Sequence, residues 1–96
     1  MPTWSPEVTL TVTAVPVLWR LARLEFDPVR QQRVLLYPEG VILLNDTGAA
    51  ILDLCDGRRS IGDVAAVLRE RYHREVVDDV IEYLSRLADQ ELIRVA

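Results

Sequence analysis

The feature that most constrains the fold of this chain is the stretch over residues 41–57, which reads VILLNDTGAAILDLCDG. Its first four residues are all apolar, and a run of this length between turn-forming residues is typical of a strand that is buried on both faces. Asn45 and Asp46 follow, and both are residue types that accept hydrogen bonds from the free N–H groups of a helix start. A helix is predicted over 46–56, with Gly57 ending it. Because the strand lacks polar positions, either the core covers both of its faces or a partner covers the second face.

Two further strands are predicted before this stretch. Residues 20–26 alternate apolar and charged side chains, as in a half-exposed strand, and residues 33–37 form the next strand. The sequence Pro38-Glu39-Gly40 then provides a tight turn, in which proline presets its own φ angle. Because the connections are short, the three strands are predicted to form an antiparallel meander.

Two further helices are predicted after it. Ser60 and Asp63 form a partial capping box at the start of one, which extends to Tyr72. The other begins after His73 and extends to about residue 90, with apolar residues at helical spacing and acidic residues in its first half. The chain is therefore predicted to be an α+β domain, a three-stranded antiparallel sheet followed by three helices, similar to a winged helix-turn-helix. A short terminal strand over 92–95 is a further expectation.

Residues 1–17 are predicted to be an extended N-terminal tail, separate from a folded domain over 18–96. Thr9, Thr11 and Thr13 alternate with apolar residues, which is a weak strand pattern, and prolines interrupt it. The tail has three open alternatives: disorder, pairing as an extra strand, or exchange with a neighbouring protomer. An exposed apolar strand together with this tail also favours self-association, so a homodimer is one expectation.

Composition and motifs argue against an enzyme and against a nucleic-acid-binding protein. The net charge of the 96 residues is −4, and an acidic chain does not produce the positive field that nucleic-acid backbones require. The single cysteine, Cys55, and the single histidine, His73, do not form a metal-binding pattern, and phosphate-binding or nucleophile motifs are missing. We therefore expect no catalytic, cofactor-binding or metal-binding residues. Without a signal peptide or a long apolar run, a cytoplasmic protein that does not span the membrane is expected.

Four short motifs resemble those of a known family. They are RVLLYPEG at 33–40, Leu44-Asn45, ILDLCDG at 51–57 and Ser60-Ile61. In combination they resemble PqqD, the family of small accessory proteins in pyrroloquinoline quinone biosynthesis, and the resemblance covers residues 18 to about 95. It implies a peptide chaperone that binds a ribosomally made precursor peptide and presents it to a radical-SAM enzyme, which crosslinks a Glu and a Tyr of the peptide. The peptide is expected between the strand over 41–44 and the third helix.

That expectation agrees with the chemistry of an edge strand, whose unpaired N–H and C=O groups can accept an extended peptide as a further strand. About half of the apolar residues of the third helix should face the core, and Tyr83 is the best single candidate for the groove. The predicted peptide-binding residues are Val41, Ile42, Leu43, Leu44, Val80, Ile81, Tyr83, Leu84 and Leu87. Two alternative functions stay open: a winged-helix DNA-binding protein, and a recognition subunit for another peptide-modifying enzyme.

Overall fold

The computed structural model describes residues 10–96 and has the predicted α+β architecture. Two sheets are present: a three-stranded antiparallel sheet in the order β2-β3-β4, and a small two-stranded sheet that joins β1 to β5. In chain order the elements are β1 (Pro16–Leu18), β2 (Arg23–Asp27), β3 (Gln32–Tyr37), β4 (Gly40–Leu43), α1 (Asp46–Asp53), α2 (Ile61–Tyr72), α3 (Val77–Asp89) and β5 (Ile93–Val95).

The β3–β4 hairpin is closed by the predicted Pro38-Glu39 turn, with Tyr37 paired to Gly40. The register then pairs Leu35 with Ile42, and the backbone N–H of Leu44 donates to the carbonyl of Arg33 over 3.0 Å. β3 is the central strand, so one long edge of β4 has no strand beside it among residues 10–96.

The core lies between the inner face of this sheet and the three helices. Leu35 of β3 has no exposed surface, and neither do Leu68 of α2 or Val80 and Leu84 of α3. Burial of each such side chain contributes about 1.5–3 kcal/mol, so this layer contributes strongly to the stability of the domain. The three-stranded sheet needs this cover because a small sheet alone is unstable in water.

The segment before the sheet packs on its own domain. Leu10 is buried, and the carbonyls of Val12 and Ala14 accept from the N–H groups of Gly62 and Ile61 over 2.9 and 2.8 Å. Those two N–H groups belong to the first turn of α2, where the helix itself provides no carbonyl to accept from them. β1 then pairs with β5. Residues 1–9, which include Trp4, lie outside the described residues, so exchange of the tail between protomers stays a prediction.

The helix caps agree with the sequence at both predicted starts. The Asn45 carboxamide oxygen accepts from the N–H of Gly48 over 2.7 Å at the start of α1. Ser60 Oγ accepts from the N–H of Asp63, and the Asp63 carboxylate accepts from the N–H of Ser60, each over 3.1 Å. This reciprocal pair is a full capping box.

The end of α1 differs from the prediction. The helix stops at Asp53 instead of continuing to residue 56, and the N–H of Cys55 donates to the Leu52 carbonyl. Asp56 instead forms an isolated bridge with Val17, and Gly57 follows with a φ of 82°. The positive φ of Gly57 therefore serves the turn after this bridge, because pairing with the N-terminal segment ends the helix earlier.

The burial of β4 decides between the two alternatives that its apolar sequence left open. Val41 and Leu43 are each 51% exposed, whereas Ile42 between them is half-buried and packs on the core. The core therefore covers only one face of β4, and the prediction that it covers both is wrong. The second face, which carries Val41 and Leu43, is the outer face of the sheet.

The Cys55 thiol is expected to be unreactive in the folded protein. Burial raises its pKa to about 12, and repulsion from Asp56 adds to the effect, while the thiol donates to the Ile51 carbonyl over 3.3 Å. At pH 8 the thiolate fraction is then about one in ten thousand, whereas an unfolded cysteine with a pKa of about 8.5 is about a quarter ionised. Labelling with a disulfide reagent at pH 8 should be slow for native protein and fast in guanidinium; fast native labelling would show that Cys55 is accessible.

Candidate functional site

The free edge of β4 presents backbone groups that are ready to pair. In an antiparallel ladder, hydrogen-bonded pairs alternate with non-hydrogen-bonded pairs. The N–H of Leu44 donates to the carbonyl of Arg33, so these two residues form a hydrogen-bonded pair. The other hydrogen-bonded pairs of this hairpin are then Leu35 with Ile42 and Tyr37 with Gly40. The N–H and C=O groups of Val41 and Leu43 therefore point away from β3, toward the free edge.

One flank of α3 lies beside this edge. Tyr83 contacts Gly48, which follows β4 in the chain, and Gln90 shares a cleft with Glu39, which precedes β4. α3 therefore runs alongside β4 in the opposite direction. Tyr83 and Gln90 are seven residues apart and lie on the same side of the helix. We call the space between this flank of α3 and the free edge of β4 the β4–α3 groove.

Tyr83 is a half-buried side chain whose position depends on a glycine. A Cβ atom on Gly48 would lie 2.5 Å from the Tyr83 hydroxyl oxygen and 2.8 Å from Cζ, closer than real Cβ atoms approach other atoms. The absence of a side chain at Gly48 therefore lets the phenol ring lie against the first turn of α1. Burial raises the pKa of the Tyr83 hydroxyl above its usual value, because the charged phenolate is poorly solvated there.

The structure divides the nine predicted peptide-binding residues into three groups. Leu44, Val80, Leu84 and Leu87 are buried at 4% exposure or less, so they belong to the hydrophobic core. Val41 and Leu43 project from the outer face of the sheet. Ile42, Ile81 and Tyr83 are half-buried.

Of the half-buried residues, Ile81 does not face β4. It precedes Tyr83 by two positions, and each residue turns a helix by about 100°, so the two side chains point about 160° apart. Tyr83 faces Gly48 in the first turn of α1, the helix that follows β4 in the chain. Ile81 therefore lies on the opposite flank of α3, and the structure does not bring it together with Val41, Ile42 and Leu43.

The arginines near α3 are paired within the chain. Arg86 lies 3.4 Å from Glu82, and Arg74 lies 3.2 Å from Asp79. The first turn of α3 carries Asp78 and Asp79, both exposed. This acidic start is unsuited to a helix that enters a DNA groove, because phosphates would repel it.

Within residues 10–96, His, Cys, Asp and Glu side chains do not converge in groups of three that could hold a metal ion. The same residues contain no helix with the length and apolar character needed to cross a membrane.

Sequence reasoning missed four residues around the groove: Gly48, Glu39, Gln90 and Trp19. Gly48 carried a usable signal, since glycine inside a helix costs about 1 kcal/mol relative to alanine and often indicates close packing. Glu39, Gln90 and Trp19 gave no such signal, because they meet around a cleft that is formed by parts of the chain distant in sequence.

Comparisons with family models, individual proteins and solved structures all match this chain to the same family. The model of the family described as coenzyme PQQ synthesis protein D (PqqD) matches residues 32–93. A PqqA binding protein of Klebsiella pneumoniae is 42% identical over 83 residues, which span 84% of this chain and 90% of the relative. A PqqA binding protein of Azotobacter vinelandii is 45% identical over 76 residues, which span 77% and 83%.

Two solved structures are similar. One is the solution structure of the PqqD truncation of Methylobacterium extorquens PqqCD, described as a stand-alone recognition element for ribosomally synthesized, post-translationally modified peptides. It matches with a TM-score of 0.78 and 34% identity, covering 88% of this chain and 94% of that chain. The crystal structure of PqqD from Xanthomonas campestris matches with a TM-score of 0.55 and 31% identity, covering 90% and 99%.

The contact between Gly48 and Tyr83 can be tested by Gly48→Ala. Alanine gains about 1 kcal/mol of helix propensity, but the clash with the phenol costs about 1–3 kcal/mol, so a net loss of stability is expected. In a Tyr83→Ala background the loss of stability should become clearly smaller, because only the 3.1 Å approach of the new Cβ to Asn45 Oδ1 would remain. Chemical unfolding of the four proteins measures this cycle.

Gly40→Ala is the matched control for that cycle. Its Cβ would lie 3.4 Å from the Tyr37 hydroxyl, which is an ordinary contact, and Gly40 does not have a positive φ. If Gly48→Ala lowered the stability equally with and without the Tyr83 ring, the proposed contact would be contradicted.

Proposed function

This chain belongs to the PqqD family, and from that premise we propose that it is a peptide chaperone of pyrroloquinoline quinone biosynthesis. It binds the ribosomal precursor peptide as an added strand on β4 and presents it to a radical-SAM enzyme. The chain itself acts by binding and carries out no chemistry, and a cytoplasmic location stays a prediction. The observation that carries the proposal is the free edge of β4 beside the half-buried Tyr83.

The main-chain groups of Val41 and Leu43 are the proposed anchors of the peptide. About four hydrogen bonds at roughly 1 kcal/mol each give about half of the 8 kcal/mol that micromolar binding requires. Apolar side-chain contacts must provide the rest and offset the ordering of the peptide. Backbone pairing then gives affinity for many sequences, and side chains give the preference for one of them.

The register also predicts where the peptide side chains point. Peptide residues opposite Val41 and Leu43 place their side chains on the outer face of the sheet, beside those two exposed residues. The residue opposite Ile42 points to the inner side, toward the groove and Tyr83. Of the nine predicted residues, the proposal therefore gives direct contact to Val41, Ile42, Leu43 and Tyr83. It gives a supporting role to the buried Leu44, Val80, Leu84 and Leu87, and it gives none to Ile81.

Leu43→Pro is expected to weaken peptide binding about tenfold while the domain stays folded. Proline removes an N–H that points to the free edge and leaves the hydrogen bonds between β3 and β4 intact, which is how edge strands tolerate proline. Calorimetric titration with synthetic PqqA peptide measures the affinity, and far-UV circular dichroism measures the fold.

Two variants serve as controls for the proline. Leu43→Ala keeps the N–H and removes most of the side chain, so it separates backbone from side-chain effects. Ile42→Pro removes an N–H that pairs with β3 and should destabilise the domain itself. Unchanged peptide affinity in the folded Leu43→Pro protein would rule out pairing at this edge.

Tyr83→Ala is expected to weaken the same binding about fivefold to twentyfold, through the loss of apolar contact with the peptide. Tyr72→Ala is the matched control, because Tyr72 is also half-buried against the core but lies on α2. Equal effects of the two substitutions would mean that lost stability, and not lost contact, explains the weaker binding.

A further inference from the structure

A cleft lies at the end of the β4–α3 groove where β4 begins. Its volume is about 280 Å³, comparable to one large amino-acid side chain with part of its backbone. It is formed where the β3–β4 turn meets the end of α3 and the start of β5. Its lining residues are Trp19, Tyr37, Pro38, Glu39, Gln90, Glu91, Leu92 and Arg94.

The inner wall of the cleft is apolar and held in place. Leu92 is 1% exposed, and its carbonyl accepts from the backbone N–H of Trp19 over 2.8 Å. Trp19 and Tyr37 are half-buried and pack against the core. Two aromatic side chains therefore border the cleft: Trp19, whose backbone is hydrogen-bonded to Leu92 just before β5, and Tyr37 at the end of β3.

The rim of the cleft is charged. Glu39, Glu91 and Arg94 are all exposed, and among residues 10–96 no ion pair includes any of them. Two carboxylates against one guanidinium give the rim a net negative charge. A long side chain with an apolar stem and a cationic tip matches both parts, since the stem can lie on the aromatic wall and the tip can reach the carboxylates.

The position of the cleft identifies the source of that side chain. A peptide taken to pair with Val41 and Leu43 in the antiparallel direction, as β3 pairs with the other edge of β4, passes the Pro38-Glu39 turn as it leaves β4. Each strand residue advances by about 3.4 Å, so the cleft is within reach about two to four residues after the paired segment, on its C-terminal side.

We propose that this cleft binds an arginine or lysine side chain of the precursor peptide, placed C-terminal to the segment paired with β4. The proposal rests on the proposed function, because it requires that the peptide occupies the edge of β4. It adds a charge-selective subsite to a groove whose floor is apolar, and it gives the peptide a fixed register along β4.

The test compares variants that remove negative charge from the rim of the cleft with a variant that removes positive charge from it. Calorimetric titration with synthetic PqqA peptide measures the affinity of each variant. Glu39→Gln combined with Glu91→Gln should weaken binding about twofold to fivefold, the range of an exposed ion pair, and Arg94→Gln should strengthen it by a similar factor. Both effects should shrink at high salt. All three positions are exposed, so the fold should be unchanged, and Glu70→Gln on the exposed surface of α2 is the matched control.

The peptide supplies the second arm of the test. Each basic residue of PqqA is replaced in turn by glutamine, and one replacement C-terminal to the paired segment should abolish the difference between the rim variants and the unmodified chain. Opposite signs for the rim variants would show an acidic occupant and overturn the proposal. Intact binding with unchanged affinity in every rim variant would overturn the subsite alone, whereas no binding by the unmodified chain would overturn the proposed function as well.

Discussion

The packing of α3 against the inner face of the three-stranded sheet is the contact on which the rest of this structure depends. Val80 and Leu84 of α3 and Leu35 of β3 are fully buried and belong to one hydrophobic core cluster. This contact stabilises a sheet that is too small to be stable alone, and it also sets where α3 lies relative to β4. With the central stripe of α3 in the core, the contact of Tyr83 with Gly48 places the flank that carries Tyr83 next to the start of α1, which follows β4 in the chain.

The magnitudes of the interactions separate the groups that maintain the fold from those available for binding. Each buried apolar side chain contributes about 1.5–3 kcal/mol, whereas an exposed ion pair such as that of Arg86 with Glu82 contributes about 0–1 kcal/mol. The charged surface of α3 and the rim of the cleft can therefore change with little effect on stability. The buried stripe cannot, so reduced peptide binding after a substitution there would report on the fold first.

Much of the fold was predictable from local patterns. The Pro38-Glu39 turn and the capping box of Ser60 and Asp63 each act within a few residues, and the structure confirms both. The end of α1 was not predictable, because it depends on a bridge between Asp56 and Val17, far apart in the sequence. The pairing of β1 with β5 joins the two ends of the domain, and the terminal pattern alone left it as one of several alternatives.

The candidate site was predictable as a pair of elements but not as a set of side chains. Four apolar residues in a row carry no alternation, so the sequence of β4 does not show that Val41 and Leu43 face outward while Ile42 faces inward. In α3 the apolar stripe marks the core face, and its two flanks look alike until the contact of Tyr83 with Gly48 distinguishes them.

The free edge of β4 is also short, and its short length limits the tendency of an open strand edge to pair with other copies of the chain. A hairpin turn bounds it on one side, and α1 begins at Asp46 on the other. Long, flat apolar edges tend to pair with further copies of themselves, whereas short ones offer too few hydrogen bonds to do so strongly. Under the proposed function, an edge limited to the backbone of Val41 and Leu43 gains full affinity only from a ligand that also contacts the neighbouring flank of α3. The same geometry that weakens self-pairing therefore favours a peptide whose side chains match the groove.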